Sequence, residues 1–245
     1  MAVEEPLELR LAFGPLTNRS RVTLAVTMRT PGHDADLAAG FLLSEAIIHT
    51  ASDVLDIKPM EANALRIDLH PSVRFDPDSA RRFAVSSACG VCGTRTLDDL
   101  DRHADPVPVA TTFAIAVIHQ LAEKLREAQP TFDQTGGLHA AGLFDAAGTL
   151  LSVREDVGRH NAVDKLIGAE LIANRLPLTG RIIFVSGRAG FELVQKSVAA
   201  GAEVLAAVGA PTSLAVDAAE RFGVTLLGFV RDGRFNVYAH TGRLL

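Results

Sequence analysis

The sequence predicts an α/β protein with a smaller β-rich N-terminal part, and three observations support this prediction. Apolar and polar residues alternate with period two at Val22–Met28, which is typical of a half-buried strand. After Thr111, helical segments alternate with short apolar runs. Phe accounts for 12 residues, Tyr for one and Trp for none, which suits helices packed on a sheet better than an aromatic-rich β-sandwich.

The N-terminal hundred residues are predicted to form strands around one helix. A second alternating run, Leu65–Leu69, repeats the pattern of Val22–Met28. Between them, Asp34 or Asp36 is expected to cap a helix. Four apolar residues would share one face of that helix: Leu37, Phe41, Leu42 and Ile48.

The C-terminal part begins with an expected helix from Thr112 to about Ala128, ended by Pro130. Two short strands follow, at Leu138–Asp145 and Leu150–Val153. Helices and strands then alternate in the order Asn161–Ala173, Arg181–Ser186, Phe191–Ala200, Glu203–Val208, Ser213–Phe222 and Val224–Val230. This alternation predicts parallel strand pairs joined by crossover helices. We therefore expect two domains, residues 1–104 and 105–245.

Charge and hydropathy exclude several classes of function. The 245 residues include 29 acidic and 24 basic ones, for a net charge of -5, so no global basic field exists to hold a nucleic acid duplex. No apolar run approaches the roughly 20 residues that a membrane span needs. The start, MAVEEPLELR, lacks the basic and apolar regions of a signal peptide. These features predict a cytoplasmic protein with no membrane or nucleic-acid partner.

The two cysteines, Cys89 and Cys92, stand together as C-G-V-C. Two thiols cannot form a disulfide framework or a four-thiolate zinc site. The remaining interpretations of the C-G-V-C segment are redox chemistry, sulfur handling, partial metal binding, or a loop whose cysteines have no role. The neighbouring Arg81, Arg82 and Arg95 would favour the reactive thiolate. A thioredoxin-like dithiol is disfavoured, since it requires C-x-x-C early in a βαβ unit.

A zinc deaminase is also disfavoured. Gly137–Asp145 is superficially similar to the H-x-E half of a deaminase motif, with His139 as the histidine. Ala141, however, occupies the place of the general acid/base Glu, and no P-C-x-x-C follows. We therefore expect no stoichiometric zinc and no other resident metal. His139 on its own could equally be structural.

Three further segments are candidate binding sites, each with a plainer interpretation. Arg154–Lys165 could be a solvated helix start that accounts for Glu155 and Asp156, or a loop whose Arg159, His160 and Lys165 meet phosphates or a partner. Ser186–Gly190 lies between a buried strand and a helix, where an anion could bind, although it lacks the pattern of a P-loop. Phe229–Arg234 is either a simple hairpin or a binding turn.

Taken in order, these segments resemble the formate dehydrogenase accessory sulfurtransferase family (FdhD/NarQ). The resemblance spans nearly the whole chain, and long motifs carry it: C-G-V-C-G at Cys89–Gly93, G-L-H-A-A at Gly137–Ala141, E-D-V-G-R-H-N-A-V-D-K-L at Glu155–Leu166, S-G-R-A-G-F-E-L-V-Q-K at Ser186–Lys196 and G-F-V-R-D-G-R at Gly228–Arg234.

The resemblance implies a sulfur carrier with a cytidine-deaminase-like α/β core, usually dimeric. Such a sulfurtransferase takes persulfide sulfur from a cysteine desulfurase. It passes the sulfur to the molybdenum bis-(molybdopterin guanine dinucleotide) cofactor before insertion into the formate dehydrogenase catalytic subunit. The alternative is a chaperone that only shelters the cofactor, with the cysteines as a redox or metal clip.

The family's sulfur-carrying cysteines map onto Cys89 and Cys92, and Cys89 is the favoured persulfide site. The stretch that contacts the cofactor maps onto Phe229, Val230, Arg231, Asp232, Gly233 and Arg234. A second set of residues is expected to contribute to the same cofactor site: His139, Arg159, His160, Ser186, Gly187 and Arg188.

Overall fold

The structure, a computed structural model, describes residues 1–61, 63–77 and 105–245. The N-terminal elements are β1 (Glu5–Phe13), β2 (Ser20–Arg29), α1 (Asp34–Ser44), a 3₁₀ turn (Ala51–Asp53), β3 (Val54–Glu61) and β4 (Ala64–Leu69). The four strands form one sheet in the order β2-β1-β4-β3. Strand β1 pairs antiparallel with β2 and parallel with β4, and β3 pairs antiparallel with β4.

The predicted strands at Val22–Met28 and Leu65–Leu69 are confirmed as β2 and β4, whereas β1 and β3 were not predicted. Alternation is present in β1 too, since Leu7, Leu9 and Leu11 are buried and the residues between them are less so. One face of this sheet therefore contributes its apolar side chains to the core.

The predicted cap of α1 at Asp34 or Asp36 is wrong. His33 is the N-cap residue, in the left-handed region at φ 57°, and its side chain makes no capping hydrogen bond. Both aspartates lie in the first helical turn, where a carboxylate interacts favourably with the positive end of the helix dipole. Ile48 is buried, but it follows the end of the helix at Ser44 and is not on its face.

The C-terminal elements are α2 (Ile115–Ile118), α3 (Leu121–Glu127), α4 (Pro130–Thr135), β5 (His139–Asp145), β6 (Leu150–Asp156), α5 (Arg159–Ile172), β7 (Arg181–Val185), α6 (Phe191–Ala200), β8 (Val204–Ala207), α7 (Ser213–Phe222), β9 (Thr225–Arg231) and β10 (Arg234–Ala239). Their six strands form a sheet in the order β10-β9-β8-β7-β5-β6. The predicted parallel pairs are confirmed for β7–β8 and β8–β9, while the other neighbours are antiparallel. The predicted α/β class is also confirmed.

The single helix expected from Thr112 to Ala128 is wrong, because the structure has the two short helices α2 and α3 instead. Pro130 does not simply end this region but begins α4 at its first position, where the missing N–H removes no hydrogen bond. The Glu155 carboxylate accepts hydrogen bonds from the N–H groups of Thr131 and Phe132, at 3.0 and 2.8 Å. A distant acidic side chain thus binds the free donors of this helix.

The two sheets share one apolar cluster, built around α1 and α5. It joins side chains of the N-terminal sheet, such as Leu9 and Ile67, to those of the six-stranded sheet, such as Val185. A second cluster covers the other face of the six-stranded sheet, where α3 packs. The division into domains at residues 104 and 105 stays a prediction.

Helices α1 and α5 approach each other closely through two glycines. A Cβ on Gly40 would lie 1.9 Å from the carbonyl oxygen of Asp164, and one on Gly168 would lie 1.8 Å from that of Asp36. Both distances are far below a van der Waals contact, so no side chain fits at either position. This contact fixes α1, and with it the N-terminal sheet, against the helix that begins at the candidate site.

Candidate cofactor site at the carboxyl edge of the six-stranded sheet

The carboxyl ends of β7, β8 and β9 meet at one edge of the sheet, where ligands bind in open α/β proteins. Two backbone hydrogen bonds join the segments that leave these strands. The Gly209 N–H donates to the carbonyl of Gly187 at 2.9 Å, and the Phe229 N–H donates to the carbonyl of Gly209 at 3.1 Å. The predicted segments Ser186–Arg188 and Phe229–Arg234 therefore begin at the same edge.

The antiparallel strand β5 brings its first residue, His139, to this edge as well. The Ala140 N–H donates to Oγ of Ser186 at 2.9 Å, and the Ser186 N–H donates to the Ala140 carbonyl at 3.0 Å. A Cβ built on Gly187 would lie 3.4 Å from Nδ1 of His139 and 3.8 Å from Cδ of Arg159. His139, Arg159 and Gly187, which were predicted from three separate motifs, thus border one small space.

The turn between β6 and α5 is organised by Asp156, which is 0% exposed. Its carboxylate accepts hydrogen bonds from the N–H groups of Gly158 at 2.8 Å and Thr30 at 3.1 Å, and it lies 2.7 Å from Nζ of Lys165. Lys165 is 1% exposed and also donates to the Thr30 carbonyl. The interpretation of Asp156 as part of a solvated helix start is wrong, and so is the phosphate role of Lys165, because the two side chains neutralise each other inside the protein.

We expect Asp156→Ala to destabilise the fold by about 3–5 kcal/mol, because it leaves the Lys165 ammonium buried without its carboxylate. Urea unfolding monitored by circular dichroism measures this change. Lys58→Met removes the exposed Lys58–Asp56 pair and should leave the unfolding midpoint where it is. A loss below about 1 kcal/mol in Asp156→Ala would contradict a structural role for the buried pair.

His160 contacts a second carboxylate, on α6. Its Nε2 lies 2.8 Å from Oε2 of Glu192, and the two side chains are 13% and 24% exposed. Glu192 stands in the first turn of α6, so α5 and α6 are joined by this contact at the edge. The geometry of this contact is not that of a hydrogen bond, so Nε2 of His160 is buried without a hydrogen-bond partner among the described residues.

The pKa of His139 is lowered from its ordinary value. Burial is the main cause, followed by the positive charges of Arg159 and His160, while Asp156 acts in the opposite direction. The neutral imidazole is thus favoured when no ligand is bound. Nε of Arg159 is buried and has no hydrogen-bond partner among the described residues. Arg188 is exposed at the same edge, which adds a second positive charge.

Phe229 has a backbone conformation that is rare for an aromatic residue, with φ 56° inside β9. The ladder between β9 and β10 shifts register here, and the Phe229 side chain is 36% exposed. Its neighbour Val230 is 1% exposed and packs in the second apolar cluster, so the Val230 side chain belongs to the core. Of this pair, Phe229 is the side chain that a ligand can reach.

The remainder of the predicted stretch forms the tip of a hairpin. Arg231 pairs with Arg234 across a two-residue turn in which Asp232 and Gly233 have φ 54° and 68°. Two positive φ values are the mark of a type I′ turn, for which Asp-Gly is a preferred sequence. The segment is a hairpin with both arginine side chains exposed, and its role in ligand binding stays a prediction.

Cys89 and Cys92 lie outside the described residues. The chain that precedes them is held where the Phe75 ring packs on Phe13, with centroids 5.1 Å apart. The chain that follows them is held where the Val107 N–H donates to the Phe222 carbonyl at 2.8 Å. Phe222 ends α7 just before β9, so this second anchor is at the amino edge of the parallel strands, opposite His139.

The described residues contain neither a metal-binding cluster nor a membrane-spanning helix. Within residues 1–61, 63–77 and 105–245, no three or more His, Cys, Asp or Glu side chains are arranged to hold a metal. In the same ranges, every helix is too short or too polar to cross a bilayer. The absence of a resident metal and the cytoplasmic location stay predictions.

Sequence reasoning missed three residues at or beside this edge: Thr30, Glu192 and Gly209. Gly209 could have been found, since it directly follows the predicted strand Glu203–Val208 and the edge rule for parallel strands applies to it. Glu192 lies within the Ser186–Lys196 motif but has no local pattern that points to His160. Thr30 comes from the other half of the chain, and pairing at that separation leaves no trace in a single sequence.

The fold and this edge define a class of protein: a two-sheet α/β protein whose cationic strand ends suit an anionic small ligand. The particular family follows from comparison along the chain. The model of the FdhD/NarQ family matches residues 2–245, and the chain belongs to that family.

Named relatives support this assignment. The "Sulfur carrier protein FdhD" of Mycolicibacterium paratuberculosis (strain ATCC BAA-968 / K-10) is 47% identical over 256 residues, which cover 100% of this chain and 91% of the relative. The protein of the same name from Saccharolobus solfataricus is 42% identical over 244 residues, which cover 100% and 90%. A crystal structure described as a formate dehydrogenase accessory protein from Desulfotalea psychrophila is similar to this chain, with a TM-score of 0.77 and 24% sequence identity. The similarity covers 99% of this chain and 90% of the chain in that crystal structure, and it supports the fold.

Proposed function

We propose that this protein is a sulfur carrier that acts in the maturation of formate dehydrogenase, with Cys89 and Cys92 as its sulfur-carrying residues. The observation that carries the proposal is the similarity, over the full chain, to relatives named sulfur carrier proteins. Because Cys89 and Cys92 are the only thiols of the chain, no other side chain could hold a persulfide. The protein is therefore a sulfurtransferase in the sense that it accepts and passes on one sulfur atom.

The first chemical step is thiol–persulfide exchange. The Cys89 thiolate attacks the outer sulfur of a persulfide on a cysteine desulfurase. A new S–S bond forms on Cys89, the S–S bond of the desulfurase breaks, and the desulfurase cysteine leaves as its thiolate. Arg81, Arg82 and Arg95 favour the thiolate of the carrier by their positive charge.

The sulfur acceptor in this proposal is the molybdenum bis-(molybdopterin guanine dinucleotide) cofactor, which is a substrate and not a resident group. Its phosphates are anionic and its guanine is a flat ring. The carboxyl edge suits both parts: Nε of Arg159 is buried without a hydrogen-bond partner among the described residues, and Arg188 and the ring of Phe229 are exposed. His139, His160, Ser186 and the Phe229–Arg234 turn complete the proposed cofactor site.

Two partners are expected: the protein that donates the sulfur and the protein that receives the cofactor. A cysteine desulfurase supplies the sulfur, and the formate dehydrogenase catalytic subunit receives the completed cofactor. We expect the carrier to be a homodimer and to act in the cytoplasm.

A second candidate function is a cofactor-binding chaperone that transfers no sulfur. One observation favours it: the described residues of the carboxyl edge already supply groups that suit the cofactor, and none of these groups is a thiol. The two functions differ in whether the Cys89–Cys92 peptide gains sulfur, and mass spectrometry can distinguish them by the mass of that peptide.

The test is incubation of the purified chain with a cysteine desulfurase and cysteine, followed by mass spectrometry of the Cys89–Cys92 peptide without reductant. We expect the peptide to gain mass in steps of one sulfur atom, first on Cys89. A peptide that gains no sulfur while the desulfurase itself is charged would favour the chaperone. Sulfur found on Cys92 alone would reverse the assignment between the two cysteines.

A further inference from the structure

We propose that a strip of exposed apolar side chains at the amino edge of the six-stranded sheet is the docking surface for the sulfur donor, a cysteine desulfurase. The docking role rests on the proposed function, since the desulfurase is the first partner of the sulfur transfer. The amino-edge strip consists of six exposed residues: Pro106, Pro108, Val109, Ala114, Ile115 and Leu245.

The large side chains of the amino-edge strip stand in water. Val109 is 71% exposed and Leu245 is 75% exposed. Single exposed apolar residues are common on protein surfaces, but here two segments that carry them pair with each other. The Ile115 N–H donates to the Leu245 carbonyl at 2.9 Å, and the Leu245 N–H donates to the Phe113 carbonyl at 3.0 Å. Grouped apolar side chains of this kind are a feature of surfaces that bind other proteins.

The backbone of the strip is held by a buried ion pair between Glu203 and Arg243. Nε of Arg243 lies 3.2 Å from Oε2 of Glu203, and both side chains are buried. The N–H groups of Ala110 and Thr111 each donate to the same Glu203 oxygen at 3.1 Å. Nη2 of Arg243 donates to the carbonyl of Pro108 at 3.1 Å. Buried charges therefore fix the backbone of the strip while its apolar side chains remain exposed.

The effect of this ion pair is on position more than on stability. The loss of hydration of two buried charges offsets much of their attraction, so such a pair adds little net stability. It does hold the strip in one conformation before a partner arrives. A surface that is ordered in advance loses less conformational entropy when it binds, and the amino-edge strip is ordered in this way.

The strip crosses the amino ends of the parallel strands. The Val107 N–H donates to the carbonyl of Phe222, just before β9. Glu203 directly precedes β8, and its Oε1 accepts the N–H of Gly180, directly before β7, at 2.7 Å. This edge is opposite the one proposed for the cofactor. A donor on the strip therefore leaves the carboxyl edge free for the acceptor.

Two features favour a protein sulfur donor as the occupant. The strip belongs to the first described part of the chain after Cys89 and Cys92, so a donor bound there is beside the point where the thiol-bearing segment joins the fold. Residues 105–116 include no Lys or Arg and one acidic residue, Asp105, so they do not attract the anionic cofactor. Apolar surface with few charges instead suits the central part of a protein interface.

The kinetics of sulfur transfer from the desulfurase, measured at increasing carrier concentration, test the docking surface. Val109→Asp and Leu245→Asp each change a side chain that stands in water, so folding should be retained. The double variant should raise KM for the carrier by about tenfold or more and leave kcat unchanged, because unpaired carboxylates are desolvated in the interface. Leu214→Asp is the matched control. Leu214 is also exposed, in the first turn of α7 at the opposite edge, so KM should stay at the wild-type value.

A small persulfide separates docking from thiol chemistry. Glutathione persulfide gives its outer sulfur to the Cys89 thiolate and leaves as the glutathione thiolate, with no protein surface required. The double variant should be charged by glutathione persulfide at the wild-type rate. Equally slow charging by glutathione persulfide and by the desulfurase would show that the thiols themselves are altered, and it would overturn the docking surface.

Three other results would also overturn the docking surface and leave the sulfur-carrier function intact. The first is an unchanged KM in the double variant. The second is a lower mass of the double variant in analytical ultracentrifugation, which would assign the strip to a contact between two copies of this chain. The third is a precharged double variant that cannot activate formate dehydrogenase although its KM with the desulfurase is unchanged, which would assign the strip to the dehydrogenase.

The wild type serves to separate the docking surface from the proposed function. Charging by glutathione persulfide alone would show that the desulfurase is not the donor, and it would overturn the docking surface. Failure of the wild type to accept sulfur from either donor would overturn the proposed function itself.

Discussion

A chain that carries both Cys89→Ala and Cys92→Ala should fold normally and leave its client formate dehydrogenase without activity. The reason is chemical: the double variant has no thiol on which a persulfide could form. The surrounding segment, Ser86–Thr94, is small, polar and rich in glycine, so truncation to alanine should cost little stability. The measurement is formate dehydrogenase activity in cells that lack the natural carrier and express the variant.

The single variants and a folding measurement serve as controls. Cys89→Ala alone and Cys92→Ala alone should each fold normally and abolish maturation of the client dehydrogenase. Equal melting temperatures for wild type and double variant would show that any loss is chemical. Normal dehydrogenase activity in the double variant would falsify the sulfur-carrier proposal.

The second large effect is expected at the contact of α1 with α5. Gly40→Ala and Gly168→Ala each place a methyl group within 2 Å of a backbone carbonyl oxygen, so the helices must separate. Overpacking typically destabilises by about 1–3 kcal/mol, and we expect a loss at the upper end of that range because the neighbouring atoms are backbone and no flexible side chain can yield. Denaturant unfolding gives the change in the free energy of unfolding for each variant.

Gly242→Ala is the matched control for these variants. Nothing lies within 4 Å of its added Cβ, and its φ is outside the left-handed region, so the free energy of unfolding should change by less than about 0.5 kcal/mol. A similarly small change in both helix variants would mean that α1 and α5 are not in backbone contact. That result would also remove the link between the N-terminal sheet and the helix that carries Arg159.

Much of the fold could be predicted because its signals are local. The period-two alternation of β2 and β4 and the regular change between helix and strand after Asn161 depend on neighbours in sequence, and both were confirmed. The prediction of a single helix across residues 112–128 was wrong for a different reason. Short helices such as α2 and α3 take their ends from tertiary packing more than from intrinsic preference.

The candidate site was predicted in part. Resemblance to a family identified Phe229, local sequence patterns identified His139, Arg159 and Ser186–Arg188, and the structure brings these residues to one sheet edge. The sequence did not distinguish residues that could contact a ligand from residues that stabilise the fold. Lys165 and Asp156 both look like surface charges in the sequence, because only the folded chain brings Thr30 to them and closes them off from water.

The central claim is that sulfur passes through this chain to the cofactor. The direct measurement starts by charging the protein with a heavy sulfur isotope from labelled cysteine and a desulfurase, and then removing the desulfurase. Molybdenum bis-(molybdopterin guanine dinucleotide) and formate dehydrogenase lacking its cofactor are then added, and the isotope is followed by mass spectrometry. We expect labelled sulfur to leave the Cys89–Cys92 peptide and to appear on the cofactor as the dehydrogenase becomes active. Activation with the label still on the peptide, or by the variant without cysteines, would contradict it.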